Sequence, residues 1–191
     1  MLDTIKKLTK IKSPKFVPEI KLYCITPEEI AYPFVPTEFN AMYGYPTWSG
    51  IALSRYIIDN PTLFYGKSIT DIGCGSGVAS VCAAKVGASV TSIDRDVASL
   101  YFTEQNCNLN DVEADIVWGS FKDVKTEYVM FSSLFYDNSN TDSINTLLSQ
   151  RKTIIGSLQR DLPDKINAKM NRIQVNTPKE LYVFTNFEQE S

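Results

Sequence analysis

No histidine occurs among the 191 residues of this chain. That absence excludes Ser-His-Asp and Cys-His catalysis, an imidazole general base and any His-ligated metal centre. Cysteine is scarce, and Cys24, Cys74, Cys82 and Cys107 form no C-x-x-C pair. They read as reduced, buried residues of an intracellular protein, with no structural zinc and no disulfide framework. No apolar run is long enough to cross a bilayer, so no membrane partner is expected. Basic residues are not in excess, with 19 Lys and Arg against 22 Asp and Glu. Without a basic stripe or an N-P-P-Y-type motif, nucleic-acid binding is not expected. Any chemistry must then rest on carboxylates, hydroxyls, backbone groups or a cofactor that is itself reactive.

What is present is one domain's worth of chain with an ordinary globular composition, 43% hydrophobic and 21% charged. Met1 to Lys12 spaces Leu2, Ile5, Leu8 and Ile11 at near-helical intervals among lysines. This predicts a short solvated helix rather than a mitochondrial presequence, because the segment has no arginine and carries Asp3. Six prolines between Ser13 and Pro46 predict an extended arm with a short strand at Ile20–Tyr23. Its aromatics, Tyr32, Phe34, Phe39, Tyr43 and Tyr45, are expected to pack on the domain or frame a site. The division expected is an arm over 1–47 and a domain over 48–191.

From Trp48 the chain alternates. Helices are expected over 48–59, 78–86, 97–109 and 141–150, and strands over 68–72, 88–93, 115–117, 127–132 and 152–155. A short helix is expected near 161–167, and a closing hairpin from runs over 171–175 and 180–185. This order predicts an α/β fold: a doubly wound, mostly parallel seven-stranded sheet with helices on both faces and a C-terminal antiparallel hairpin. In such sheets ligands bind at the carboxyl ends of the strands, near the point where strand order reverses.

The densest signal is Ser68-Ile69-Thr70-Asp71-Ile72-Gly73-Cys74-Gly75-Ser76-Gly77. A strand enters three alternate glycines and a helix leaves them, which lets a ligand press against bare backbone beside a helix N-terminus. Asp94 closes the next strand, where a carboxylate can accept from ribose hydroxyls. The spacing G-x-G-x-G departs from the dinucleotide fingerprint G-x-G-x-x-G, which counts against NAD. A tight turn without a ligand is the bland alternative.

The form D-x-G-x-G-x-G followed by Asp94 resembles motif I and its partner in class I S-adenosylmethionine-dependent methyltransferases. A narrower likeness is carried by Trp48-Ser49-Gly50-Ile51-Ala52-Leu53-Ser54-Arg55-Tyr56-Ile57-Ile58-Asp59-Asn60-Pro61, Gly66-Lys67-Ser68, Asp94-Arg95-Asp96 and Asn106-Cys107-Asn108-Leu109-Asn110. These elements resemble the electron transfer flavoprotein β-subunit lysine methyltransferases. The likeness runs from Pro18 to Asn110 and fades afterwards. It implies a Rossmann-like methyltransferase that uses S-adenosyl-L-methionine to methylate lysine on a protein, such as the flavoprotein β-subunit or a ribosomal or translation protein. A monomer is expected over a stable oligomer, cytoplasmic if bacterial and mitochondrial if eukaryotic.

The resemblance also assigns residues. Gly73, Gly75 and Gly77 would contact the methionine and ribose portions, Asp71 the amino group and Asp94 the ribose. The turn Trp118 to Ser120 would line the adenine. Ser133 belongs to the same cofactor set, and Trp48 would shape the entrance or, on the blander reading, is a buried tryptophan at a helix start. Asp137 and Tyr136 are the catalytic candidates, to orient the amine and pass its proton to water. Asp137 reads equally as a turn or cap residue in Asp137-Asn138-Ser139-Asn140, and Tyr136 as a packed aromatic. Two departures stand out, since Ser133 and Ser157 replace aspartates of the family pattern. Alternatives of another class therefore stay open: a small-molecule amine methyltransferase, or a cofactor-binding module whose acceptor site has eroded.

Overall fold

The computed structural model describes residues 9–25, 44, 46–136 and 138–188. Strand β1 (Thr9–Lys12) pairs antiparallel with β2 (Leu22–Ile25) in a small separate sheet. The remaining seven strands are β3 (Ser68–Ile72), β4 (Ser89–Asp94), β5 (Asp115–Trp118), β6 (Tyr128–Ser132), β7 (Lys152–Ser157), β8 (Asn171–Gln174) and β9 (Tyr182–Thr185). They form one sheet in the order β5-β4-β3-β6-β7-β9-β8. The first five are parallel, and β9 runs antiparallel to both β7 and β8. The helices are α1 (Trp48–Asp59), α2 (Val78–Lys85), α3 (Val97–Leu109) and α4 (Thr141–Gln150).

The sheet separates two apolar layers. One joins α1 and α2 to Ile69, Val90, Met130, Ile154 and Val183. The other packs Ile144, Leu147 and Leu148 of α4 against Ile72, Phe131, Ile155 and Phe184. Strands buried on both faces need continuous apolar runs, which is how Val129-Met130-Phe131 and Ile154-Ile155 read. Each face excludes water from large side chains, Phe64 on one and Phe131 on the other. Burying one such side chain contributes about 1.5–3 kcal/mol.

Strand order reverses between β3 and β6, so the crevice at their carboxyl ends is where this topology places a ligand. Helix α1 starts directly over the neighbouring edge. Its N-cap Thr47 accepts from the Gly50 amide at 3.1 Å, satisfying one orphan donor of the first turn. Its approach depends on Gly156 of β7, where a Cβ would run into the Ser49 carbonyl and Leu53.

Two local expectations fail. Thr9–Lys12 is a strand instead of the end of a helix, because it pairs residue by residue with Leu22–Ile25. Tertiary pairing here overrides a short helical pattern of low propensity. No helix forms over 161–167, where Pro163 and the polar neighbours favour bends. The arm strand lies two residues later than expected. Buried Val17, Ile20 and Leu22 join the main core. The arm aromatics from Tyr32 to Tyr45 lie outside the described residues.

Candidate cofactor site

The turn after β3 is built for close approach. Gly73, Gly75 and Gly77 all adopt positive φ, of 70°, 56° and 73°, a conformation that costs other residues free energy. At Gly77 there is also no room, since a Cβ would lie 2.8 Å from Thr103. Gly77 is the N-cap of α2, so the turn delivers the amides of that helix toward the crevice.

The loop is braced from α3. Asn106 is fully buried. Its Nδ2 donates to the Ser76 carbonyl at 2.8 Å, and its Oδ1 accepts from the Tyr23 amide of β2 at 2.7 Å. Thr103 donates toward Cys74 Sγ at 3.2 Å. Burial first, then the carboxylates of Asp71 and Asp94, push the Cys74 thiol well up. It therefore stays a protonated, unreactive thiol at neutral pH.

Asp94 faces the turn from the end of β4. One carboxylate oxygen accepts from the Gly75 amide at 3.1 Å and the other from the Asp96 amide at 3.0 Å. Burial raises its pKa, and these backbone donors oppose the rise. A cavity of about 190 Å³ opens between them. Gly73 to Ser76 and Val78 floor it, Asp94 and Arg95 with Gly119 to Phe121 close one end, and Thr47, Ser132 to Leu134 and Asn140 close the other.

Most of the expected residues meet here. Gly73, Gly75, Asp94, Ser120 and Ser133 line the cavity, and Gly77 shapes the turn beneath it. Ser120 belongs to a reciprocal cap with Asp123, whose carboxylate accepts from the Ser120 amide at 2.8 Å. Ser133 sits at a φ of 57° and donates to the Thr47 hydroxyl at 3.1 Å.

Besides Gly77, three expected residues lie apart from the cavity lining. Asp71 is buried beneath it, where its carboxylate accepts from Ser80 Oγ at 2.6 Å and Ser80 in turn bonds Ser92 at 2.8 Å. Burial pushes the Asp71 pKa up to about 7, partly offset by the Ser80 hydrogen bond. Trp118 is 70% exposed and donates its indole N–H to the Arg95 carbonyl at 3.0 Å. Trp48 stands beside the far end, next to Thr47. Asp137 lies outside the described residues. Tyr136 has its backbone in a single 3₁₀ turn, Leu134–Tyr136. The other altered position, Ser157, turns inward, accepting from the Gln159 amide and donating to the Gln159 carbonyl, both at 3.0 Å.

Thr47 and Phe121 reach the cavity without having been singled out in the sequence, whereas Arg95 and Asn140 were named there only as parts of the runs Asp94-Arg95-Asp96 and Asp137-Asn138-Ser139-Asn140. Asn140 joins because its side chain donates to the Leu134 carbonyl at 3.1 Å.

By its strand order and its glycine turn, this chain has the fold of the class I, seven-β-strand S-adenosylmethionine-dependent methyltransferases. The same fold is seen in magnesium protoporphyrin IX methyltransferase from Synechocystis with bound SAM. That match has a TM-score of 0.58 at 14% identity and covers 80% of this chain and 91% of that one. A SAM-dependent methyltransferase from Aquifex aeolicus matches with a TM-score of 0.56 at 11% identity, over 73% of this chain and 93% of that one.

Within the class, the chain is similar to the electron transfer flavoprotein β-subunit lysine methyltransferases. It is 31% identical to the Danio rerio protein over 152 residues, 72% of this chain and 57% of that protein. It is 32% identical to the Homo sapiens protein over 117 residues, 55% and 44% of the two. The chain thus spans about half the length of the curated relatives it matches. The family model for ribosomal protein L11 methyltransferase (PrmA) matches residues 52–138.

Proposed function

We propose that this chain is a S-adenosylmethionine-dependent protein methyltransferase acting on lysine. The observation that carries it is the cavity bounded by the Gly73–Gly77 turn at one wall and the Asp94 carboxylate at one end. The donor set fits the cofactor. Bare backbone at positive φ admits close contact, and a carboxylate held by two amides is already oriented to accept from a pair of hydroxyls. Gly119 to Phe121 line the end beside Asp94, where an adenine would lie. The similarity to lysine methyltransferases supports a protein lysine as acceptor.

S-adenosylmethionine supplies a methyl already activated on a sulfonium, so the protein's task is alignment and exclusion of water. The chain's residues do this without histidine. Asp94 fixes one end of the cofactor. The other end then lies toward Thr47, Ser132 and Ser133, where the acceptor enters. A lysine must arrive there deprotonated, since an ammonium has no lone pair, and its ordinary pKa near 10.4 leaves little neutral amine at pH 7. The uncharged hydroxyls of Thr47 and Ser133 favour the neutral amine more than a carboxylate would. Asp137 and Tyr136 follow directly and are the groups proposed to orient the amine and pass its proton to water.

Calorimetry with S-adenosylmethionine and S-adenosylhomocysteine tests the cofactor reading, and transfer of labelled methyl to lysate protein tests the acceptor. Asp94→Ala is expected to weaken cofactor binding by about tenfold or more, the loss of one or two charge-assisted hydrogen bonds. Unchanged affinity would remove the ribose assignment. Binding with label only in the small-molecule fraction would replace protein lysine by a free amine.

A further inference from the structure

Beside the cavity, outside its lining, two aromatic rings and two lysines form a cluster that the cofactor site does not use, with the Lys15 ammonium 5.1 Å from the centre of the Phe16 ring. Trp48 is 38% exposed at the start of α1. The ring of Phe16 lies 6.2 Å from it at an interplanar angle of 39°. The Lys179 ammonium sits 4.1 Å from the centre of the Trp48 ring, well inside the range of a cation–π contact.

We infer that Trp48 and Phe16 form a docking site for the alkylammonium side chain of a lysine on a protein partner, and that the chain's own Lys179 occupies it in the free protein. Three observations carry this. The occupant already present is the ligand chemistry itself. Lys179 is exposed and belongs to the turn between β8 and β9, whose backbone is held by Thr177 Oγ1 donating to the Lys179 carbonyl at 2.5 Å. Its side chain can therefore leave while the turn stays.

The platform, in contrast, is fixed at a cost. Phe16 has a φ of 72°, a strained conformation for a bulky residue that persists only where the surroundings enforce it. Here Arg55 enforces it. Its Nη1 donates to the Phe16 carbonyl at 3.2 Å, and the guanidinium is itself anchored by Glu19 and Asp59, both at 2.7 Å.

The site also faces the right way. Thr47, the residue before Trp48, lines the acceptor end of the cavity. The β8–β9 turn emerges at that same sheet edge, because Ser157 at the end of β7 pairs with Tyr182 at the start of β9. A lysine-bearing segment on Trp48 would thus lie against the mouth. That the partner is the methylation substrate rests on the methyltransferase reading, whereas the docking site does not.

Fluorescence tests it in a Trp118→Phe background, which leaves Trp48 as the single indole of the two in the chain. Nα-acetyl-lysine methylamide and its neutral counterpart Nα-acetyl-norleucine methylamide are titrated at constant ionic strength without cofactor. The lysine probe is expected to shift Trp48 emission and the norleucine probe to leave it unchanged. Adding Lys179→Ala should tighten the lysine response about two- to fivefold by removing the internal competitor. Equal responses to both probes, or a lysine response unmoved by Lys179→Ala, would overturn the inference. Calorimetry with S-adenosylmethionine on the protein with both tryptophans intact separates the two readings. A silent lysine probe with normal cofactor binding removes the docking site alone, and a lysine response without cofactor binding removes the methyltransferase reading alone.

Discussion

Among the described residues, Asp71 is the carboxyl group that the interior holds most firmly toward its protonated form. Its pKa of about 7 in the folded chain stands against an ordinary value of about 3.9 in the unfolded one. Below about pH 4 both states hold the proton; as pH rises toward 7 the unfolded chain releases it first, so this residue's contribution to stability falls and then levels off. Wild type should therefore lose stability relative to Asp71→Asn between about pH 4.5 and 7.5, on the order of a few kcal/mol. Urea melts of the pair across that range check this, and a pH-independent difference would refute it. Ser133 gives a second case. Its φ of 57° is open to Gly and hard on a β-branched residue, so Ser133→Val should destabilise by about 1–3 kcal/mol and Ser133→Gly far less. Denaturant midpoints of the two variants decide it. Neither effect was legible in the sequence. Asp71 reads there as a ligand of the cofactor, because a motif records which residue precedes the glycines and not how deeply Ser80 and Ser92 enclose it.

At the scale of elements, the helices and parallel strands were legible because each carries its own punctuation. Asn60-Pro61 ends α1 and Gly77 opens α2, and the structure adds side-chain caps at Thr47 for α1 and at Asp96 for α3, through the Ala98 amide at 2.7 Å. Where such signals are missing the reading failed, as in Thr9–Lys12, whose state depends on a partner strand ten or more residues away. The brace through Asn106 was quoted in the sequence only as part of a resemblance. Its two bonds span different elements, so no local pattern reveals them. Asn106→Ala should cost about 1–3 kcal/mol by leaving the Tyr23 amide unpaired and freeing the Ser76 carbonyl. It should also weaken S-adenosylmethionine binding, because the glycine turn loses its support. Thermal melting and calorimetry of one preparation test both effects, and a stability loss with unchanged cofactor affinity would limit Asn106 to a structural part.

Across the whole molecule, the strands that carry the candidate site are the central ones, β3 and β6, flanked on both faces by apolar layers. Hydrogen exchange should be slowest in Ile69–Ile72 and Val129–Phe131 and fastest in β1 and β8, whose side chains are largely exposed. Comparable protection in β8 and β3 would contradict this ordering. The overall architecture was legible because alternating helices and strands admit few topologies. The contents of the cavity's far end were less so, since Thr47, Ser133 and Asn140 come from three separate segments joined only by folding. Asn106 gives this architecture one more property. A single side chain holds both the arm strand β2 and the turn that would cradle the cofactor, so the two share a free-energy linkage, and each is tightened by whatever orders the other. The proline-rich arm is then a thermodynamic partner of the ligand, with occupancy at the sheet edge felt as firmness at the chain's beginning.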